Sequence, residues 1–316
     1  MATPRPQPRS DFPVGSLCTV GGRGEGLTEP IDLRRPEAPL KAPGKRPEAP
    51  LKAPGIRPEA PLKAPGKGSP DGSEHGLGNR IHPTAVVGDA VHLGDGNVVG
   101  PYAVVLGPCR VGDNNWIGPH ATLGAPAERR AGPHPAAWDG ELAGSGVEIG
   151  CDNVIREHVS IHQGSGAGPT RLGDGGYLMT GSHLGHDCVV GDGVTIASAV
   201  QIAGGCHVWA WASLGLGAVV HQDTVVGPGA MVGMGSPVRG VVDAFSVMVG
   251  NPARKAGINA VGLTRRGCSD GLMPALEAYL RRRAELPAGL PDDLARMLER
   301  WERARAGSAE SGTPGG

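Results

Sequence analysis

Residues 172–205 read LGDGGYLMTGSHLGHDCVVGDGVTIASAVQIAGG, and an aliphatic residue stands at every sixth place: Leu172, Leu178, Leu184, Val190, Ile196 and Ile202. The spacing continues through Val208, Leu214, Val220, Val226 and Val232. Upstream it runs through Val87, Leu93, Val99, Val105, Val111, Ile117 and Leu123, and it resumes at Ile149, Ile155 and Ile161. Gly88, Gly94, Gly100, Gly112, Gly118 and Gly124 directly follow their aliphatic partners in that first series, with Leu106 the exception. An α-helix repeats its apolar residues about every 3.6 positions and a lone strand every 2, so a strict six fits neither. Short strands joined by tight turns do fit, with each aliphatic side chain pointing into a narrow prism and the small residue easing the turn. That pattern predicts an all-β fold, a parallel β-helix of hexapeptide repeats in which three hexads make one coil of about 18 residues.

Composition agrees with a thin interior. The chain has 316 residues, of which 54 are glycine and only 3% aromatic. A formal net charge of −1 gives no global reason to expect nucleic acid or an anionic membrane as partner. Six cysteines stand scattered without a CxxC pair, which predicts reduced thiols and a cytoplasmic protein. No segment reads as a signal peptide or as the run of about 20 apolar residues that spans a membrane.

The pattern divides the chain. Residues 35–67 are three copies of an eleven-residue unit, RPEAPLKAPGK, RPEAPLKAPGI and RPEAPLKAPGK, too rich in proline for helix or sheet. Residues 1–79 are therefore expected to form a disordered tail, basic over 34–67 where nine Lys/Arg face three Glu. Residues 80–250 are expected to form the β-helix and 251–268 a substrate-contacting connection. Residues 269–316 are expected to form a helical extension with a frayed end. There Ser269 and Asp270 are candidate caps, and Pro291, Asp292 and Asp293 open a second helix carrying Leu294, Leu298 and Trp301. Arg281, Arg282, Arg283, Arg300, Arg303 and Arg305 read either as a solvated face or as a docking surface for an acidic partner.

Phase places residues in space. Leu184, Ile202 and Val220, 18 apart, should stack on one wall, and Ile161 joins them if 163–171 is a loop replacing a normal turn. The interruption at 125–146 leaves the prism at the same corner. Four histidines then gather near one wall: His162 after Ile161, His183 and His186 flanking Leu184, and His221 after Val220. Gly204 lies one coil beyond His186. A histidine, with an ordinary pKa of about 6.5, suits proton removal from a hydroxyl, and a glycine beside it lets a backbone N–H approach a reacting carbonyl. Together they suggest acyl transfer. The segment GHD at 185–187 reads equally as a plain turn or as a histidine supported by Asp187.

IREHVSIHQG (155–164), LMTGSHLGHDCVVG (178–191), AVVHQ (218–222) and GINAVGLTRRG (257–267), in this order, resemble the UDP-N-acetylglucosamine acyltransferase family of lipid A biosynthesis over residues 81–268. The resemblance implies a left-handed coil, an exception to the usual right-handed crossover. It implies a homotrimer with active sites between neighbouring prisms. No bound cofactor is implied. The acyl group would arrive on the phosphopantetheine of acyl carrier protein and pass to a hydroxyl of a UDP-amino sugar or similar acceptor. By position, His186 matches the general base, Asp187 its acidic support, and Gly204 the oxyanion glycine. His162, His183, His221 and Gln222 fall at substrate-contacting positions, as do Asn259, Arg265 and Arg266 near nucleotide and donor. Met234 falls where a bulky residue shortens the acyl groove, predicting a medium-length donor, or else it fills a gap as methionine does.

Two positions depart from the pattern: Gly205 stands where a histidine is expected, and Val261 where a glutamate is. The segment APAERRAGPHPAAWDGELAGSG at 125–146 shows no clear acidic and basic sugar contacts. Three other readings remain. GNPAR at 250–254 is common in coenzyme A-dependent acetyltransferases, clustered histidines resemble a zinc carbonic anhydrase although no metal ligand set is evident, and a repeat prism can serve as a scaffold without chemistry.

Overall fold

The computed structural model describes residues 76–130, 144–166 and 168–310. The proline-rich repeats lie outside the described residues. Strands of two to five residues wind around three walls, with ten, eight and eight strands in order of first appearance. The first wall begins at Arg80–Ile81, the second at Val86–Val87 and the third at Val91–Leu93. Along each wall the strands pair in parallel, except for the last strand of the first wall, and the hexad residues meet in register: Leu123, Ile161, Leu184, Ile202, Val220 and Val238 are successive partners on the second wall. The coil is a left-handed parallel β-helix.

The hexad aliphatics account for the core. Leu123, Ile155, Ile161, Leu178, Leu184, Ile196, Ile202 and Val220 are wholly buried in one continuous cluster. Burying each such side chain contributes roughly 1.5–3 kcal/mol. Parallel strands normally need long crossovers; here the crossover is the coil itself. Where asparagine enters the interior it is paired. Asn97 donates to the carbonyls of Gly94 and Gly112, Asn115 donates to Asn97 Oδ1, and Asn153 donates to Asn115 Oδ1, so the amides form a satisfied ladder.

The small residue after each aliphatic has a different reason from the one the sequence suggested. A Cβ on Gly185 would lie 2.7 Å from the Gly204 nitrogen and 2.9 Å from the Ala203 carbonyl carbon. Contact with the next coil, rather than turn conformation, demands glycine there. The left-handed residue comes two places later, as at Asp187 (φ 61°), Asp223 (φ 58°) and Trp211 (φ 65°).

The ordered coil begins before residue 80. Gly76 N–H donates to Leu93 O, and Asn79 Nδ2 donates to Gly94 O, so Gly76–Asn79 belong to the prism and not to a tail. Residues 251–268 are also more than a connection. Arg254–Ile258 turns back antiparallel onto Ser246–Val249 and caps the end of the first wall. Helix α1 (Ala260–Arg265) follows, with Asn259 Oδ1 accepting from Gly262 N–H at its start.

Helices α2 (Met273–Leu280) and α3 (Asp292–Glu310) complete the described residues. Ser269 and Asp270 do not cap α2, whose first turn starts at Leu272 with proline in the opening positions; Ser269 offers only its carbonyl, to the Leu272 and Met273 N–H groups. Asp292 and Asp293 do open α3. Leu276, Leu294, Leu298 and Trp301 pack with Trp209, Ala244 and Phe245 of the prism in a second core. The arginines of this region are mostly engaged within the chain. Arg282 reaches Glu302 at 3.5 Å, Arg305 donates to Asp243 at 2.5 Å, and Arg300 lies over the Trp209 ring.

Candidate active site

Both interruptions of the hexads leave the prism between the second and third walls, one after Thr122–Ala125 and the other after Ser160–His162. Their near ends frame the histidine cluster.

His186 and Asp187 form the turn between His183–Leu184 and Val189–Val190 at this corner. Neighbouring residues on a flat strand would point apart. Here the left-handed conformation of Asp187 swings its carboxylate back, and Asp187 Oδ2 lies 2.6 Å from His186 Nδ1. The carboxylate is itself fixed. Ser165 donates to it twice, from N–H at 2.7 Å and from Oγ–H at 2.5 Å, while the Asp187 N–H donates to Thr170 Oγ1 at 2.9 Å. Burial alone would raise the Asp187 pKa. The Ser165 hydrogen bonds and His186 outweigh it, and the carboxyl is held below its ordinary value. An ionised carboxylate can only accept, so His186 Nδ1 carries a proton, and in the neutral ring the lone pair belongs to Nε2.

The imidazole ring lies against Gly204. A Cβ placed on Gly204 would lie 2.6 Å from His186 Cε1 and 2.7 Å from Nε2. The imidazole thus occupies the space a side chain at 204 would need. Hexad counting placed these two groups on one wall, and the coordinates put them in contact. The Gly204 N–H has no hydrogen-bond partner among the described residues, whereas its carbonyl accepts from Asp223 N–H.

His162 and His183 sit beside this pair, their rings edge to face with centroids 5.0 Å apart. His162 Nδ1 lies 2.7 Å from the Pro126 carbonyl, and His183 Nδ1 lies 2.8 Å from Ser160 Oγ. Their Nε2 atoms turn toward Glu128, at 3.8 Å from Oε1 for His162 and 3.4 Å from Oε2 for His183. Burial, aided by His162 and His186, lowers the His183 pKa against the opposing pull of Glu128. The 125–146 segment thus sends one acidic side chain, Glu128, to the histidines. Residues 131–143 of that segment lie outside the described residues. Sequence reasoning also missed Ser165, Thr170 and Ser160. The one available signal was that 163–171 breaks the hexads at the corner where the histidines collect.

His221 and Gln222 share this corner, one coil beyond Gly204, and are exposed; His221 Nδ1 approaches the Gln222 carbonyl at 3.2 Å. The remaining expected residues are elsewhere on the chain. Met234 stands at the corner between the first and second walls and is 74% exposed, so it fills no gap within its own prism. Asn259 is engaged in capping α1 and in donating to Gly229 O. Arg266 lies 4.6 Å over the Trp211 ring at the third-to-first corner, where burial and Arg265 lower its pKa. Arg265 and Val261 are exposed, and Gly205 turns with φ 71° against the Asp223 carboxylate. One chain therefore does not bring Met234 or Arg266 to His186.

Fold and site define a class: a left-handed hexapeptide-repeat β-helix protein with a histidine–carboxylate pair at one corner. No protein-family model matches the chain. Within the class its relatives are the acyl-[acyl-carrier-protein]–UDP-N-acetylglucosamine O-acyltransferases. It is 43% identical over 123 residues to the one from Alkalilimnicola ehrlichii, covering 38% of this chain and 48% of that protein. It is 39% identical over 158 residues to the one from Paracoccus denitrificans, covering 49% and 59%. The chain thus spans about half the length of the curated relatives it matches. Among solved structures it is similar to the UDP-N-acetylglucosamine acyltransferase from Campylobacter jejuni, with TM-score 0.58 and 25% identity over 67% of this chain and 85% of that one. LpxA from Bacteroides fragilis, a UDP-N-acetylglucosamine acyltransferase, gives 0.55 and 27% over 72% and 89%. No helix among the described residues is long and apolar enough to cross a membrane.

Proposed function

We propose that the protein transfers a fatty acyl group from acyl carrier protein to a hydroxyl of UDP-N-acetylglucosamine or a closely related UDP-amino sugar. The observation carrying this reading is His186, bonded through Nδ1 to Asp187 at 2.6 Å with its ring packed against Gly204. Nε2 removes the proton of the acceptor hydroxyl as its oxygen attacks the thioester carbonyl. The new C–O bond leaves a tetrahedral oxyanion, which accepts from the Gly204 N–H. Collapse breaks the C–S bond, the phosphopantetheine thiolate departs, and the proton on Nε2 returns to it. The products are the O-acyl sugar nucleotide and free acyl carrier protein. Asp187 stays ionised throughout and keeps the imidazole in one tautomer. His162, His183, His221 and Gln222 line the approach of the acceptor.

A homotrimer completes the site. Met234 and Arg266 stand at other corners of the prism, and a neighbouring prism can present them to His186. Arg265 and Arg266 suit phosphate groups of nucleotide or donor, and Met234 limits the acyl groove to a medium-length chain. The test is turnover with acyl carrier protein donors of graded length and UDP-N-acetylglucosamine, run beside His186→Ala. Wild-type turnover surviving in that variant removes the assignment of the base.

A further inference from the structure

Glu128, His162 and His183 bring one donor atom each to a common point, all lying within 4.8 Å of one another. None of the interactions that organise His186 requires this convergence. The Pro126 carbonyl can only accept, so His162 Nδ1 is a donor and its neutral ring presents the Nε2 lone pair. His183 is likewise held through Nδ1, by Ser160, with Nε2 directed at the same carboxylate. When Nδ1 is the protonated nitrogen in both rings, two Nε2 lone pairs and a carboxylate converge, the arrangement that a bound cation stabilises.

The spacings suit a particular cation. A tetrahedral zinc ion with bonds of about 2.0–2.1 Å has ligand atoms about 3.3 Å apart. The nitrogen–oxygen separations of 3.4 and 3.8 Å are already near that edge length. Two imidazoles and one carboxylate form a donor set found at zinc sites, and magnesium and calcium prefer oxygen alone. The Nδ1 contacts to a carbonyl and a hydroxyl are the outer hydrogen bonds that orient metal-ligating histidines. Glu128 is 63% exposed, which leaves a fourth position open to water.

We infer that Glu128, His162 and His183 form a binding site for a zinc-type divalent cation beside the His186–Asp187 pair. This does not rest on the acyltransferase reading, since occupancy is measured without substrate. Full-length protein stripped with chelator is titrated with Zn²⁺ by calorimetry and with Co²⁺ by visible absorption. The expected result is one ion per chain and a cobalt spectrum of low coordination number. Glu128→Gln and His162→Ala should each weaken binding at least about tenfold. Ser160→Ala, which removes only an orienting contact, should weaken it by about 10–100-fold. His82→Ala, on a distant coil, should leave it unchanged, and circular dichroism identifies variants that remain folded. Absence of stoichiometric binding overturns the inference, as does binding that folded Glu128→Gln and His162→Ala proteins retain at full strength.

Discussion

Replacing Gly204 by alanine puts the contact between residues 186 and 204 to a direct test. The backbone at 204 is not left-handed, so alanine meets no conformational penalty there. Its methyl would stand 2.6 Å from His186 Cε1, 2.7 Å from Nε2 and 3.1 Å from Cδ2. Carbon atoms sit comfortably at about 3.5–4.0 Å, so the ring must retreat by roughly 1 Å. Misplacing a catalytic group by about 1 Å costs on the order of 10²-fold in rate, or about 2.7 kcal/mol of barrier. The imidazole is partly exposed and can move without opening the core. Stability should therefore change by under about 1 kcal/mol, the lower chain entropy of alanine offsetting part of the contact. The assay is kcat/KM for acyl transfer from acyl carrier protein to UDP-N-acetylglucosamine, measured with Tm. Gly271→Ala serves as control, because its Cβ would meet nothing within 4 Å. Wild-type kcat/KM in Gly204→Ala would refute the argument, since the methyl cannot share that space with a base in its working position.

Other outcomes follow from the same geometry. Ser165→Ala removes an Oγ–H bond to a charged group, which contributes about 1.5–3 kcal/mol. Because the folded Asp187 pKa is depressed, its stabilisation is present above the ordinary carboxylate value and is lost as pH falls through the folded value. The variant should be less stable at neutral pH and shed less stability on acidification, as read by denaturant melts across pH. Met234→Gly should shift donor preference toward longer chains in an acyl-length panel, each extra buried CH₂ contributing about 0.8 kcal/mol; an unchanged preference would remove Met234 from the groove. Trp301→Ala, at 2% exposure and edge to face with Trp209, should cost about 3–5 kcal/mol and lower Tm clearly.

The hexads made the fold legible because a β-helix is built almost wholly from local rules. Each aliphatic at a sixth position has only the prism interior to enter, and a fixed 18-residue coil turns sequence distance into spatial distance. That arithmetic sufficed to stack Leu184 on Ile161 and Ile202, and to set His186 beside Gly204. It could not resolve whether Asp187 faces its neighbour, because the answer depends on one left-handed φ and on Ser165 from the adjoining loop.

What sequence alone determined is therefore the periodic body: the walls, the core and the corner where the histidines lie. Tertiary structure decided everything supplied by the interruptions, where no period translates residue number into position. Glu128 comes to His162 and His183 because its loop leaves the prism and folds back, and the helices settle on Trp209 through side chains that no hexad predicts. Met234 and Arg266 carry the same lesson from the other side: counting fixes the corner of Met234, the fold-back of Arg254–Ile258 and helix α1 fixes that of Arg266, and neither stands at the corner of His186.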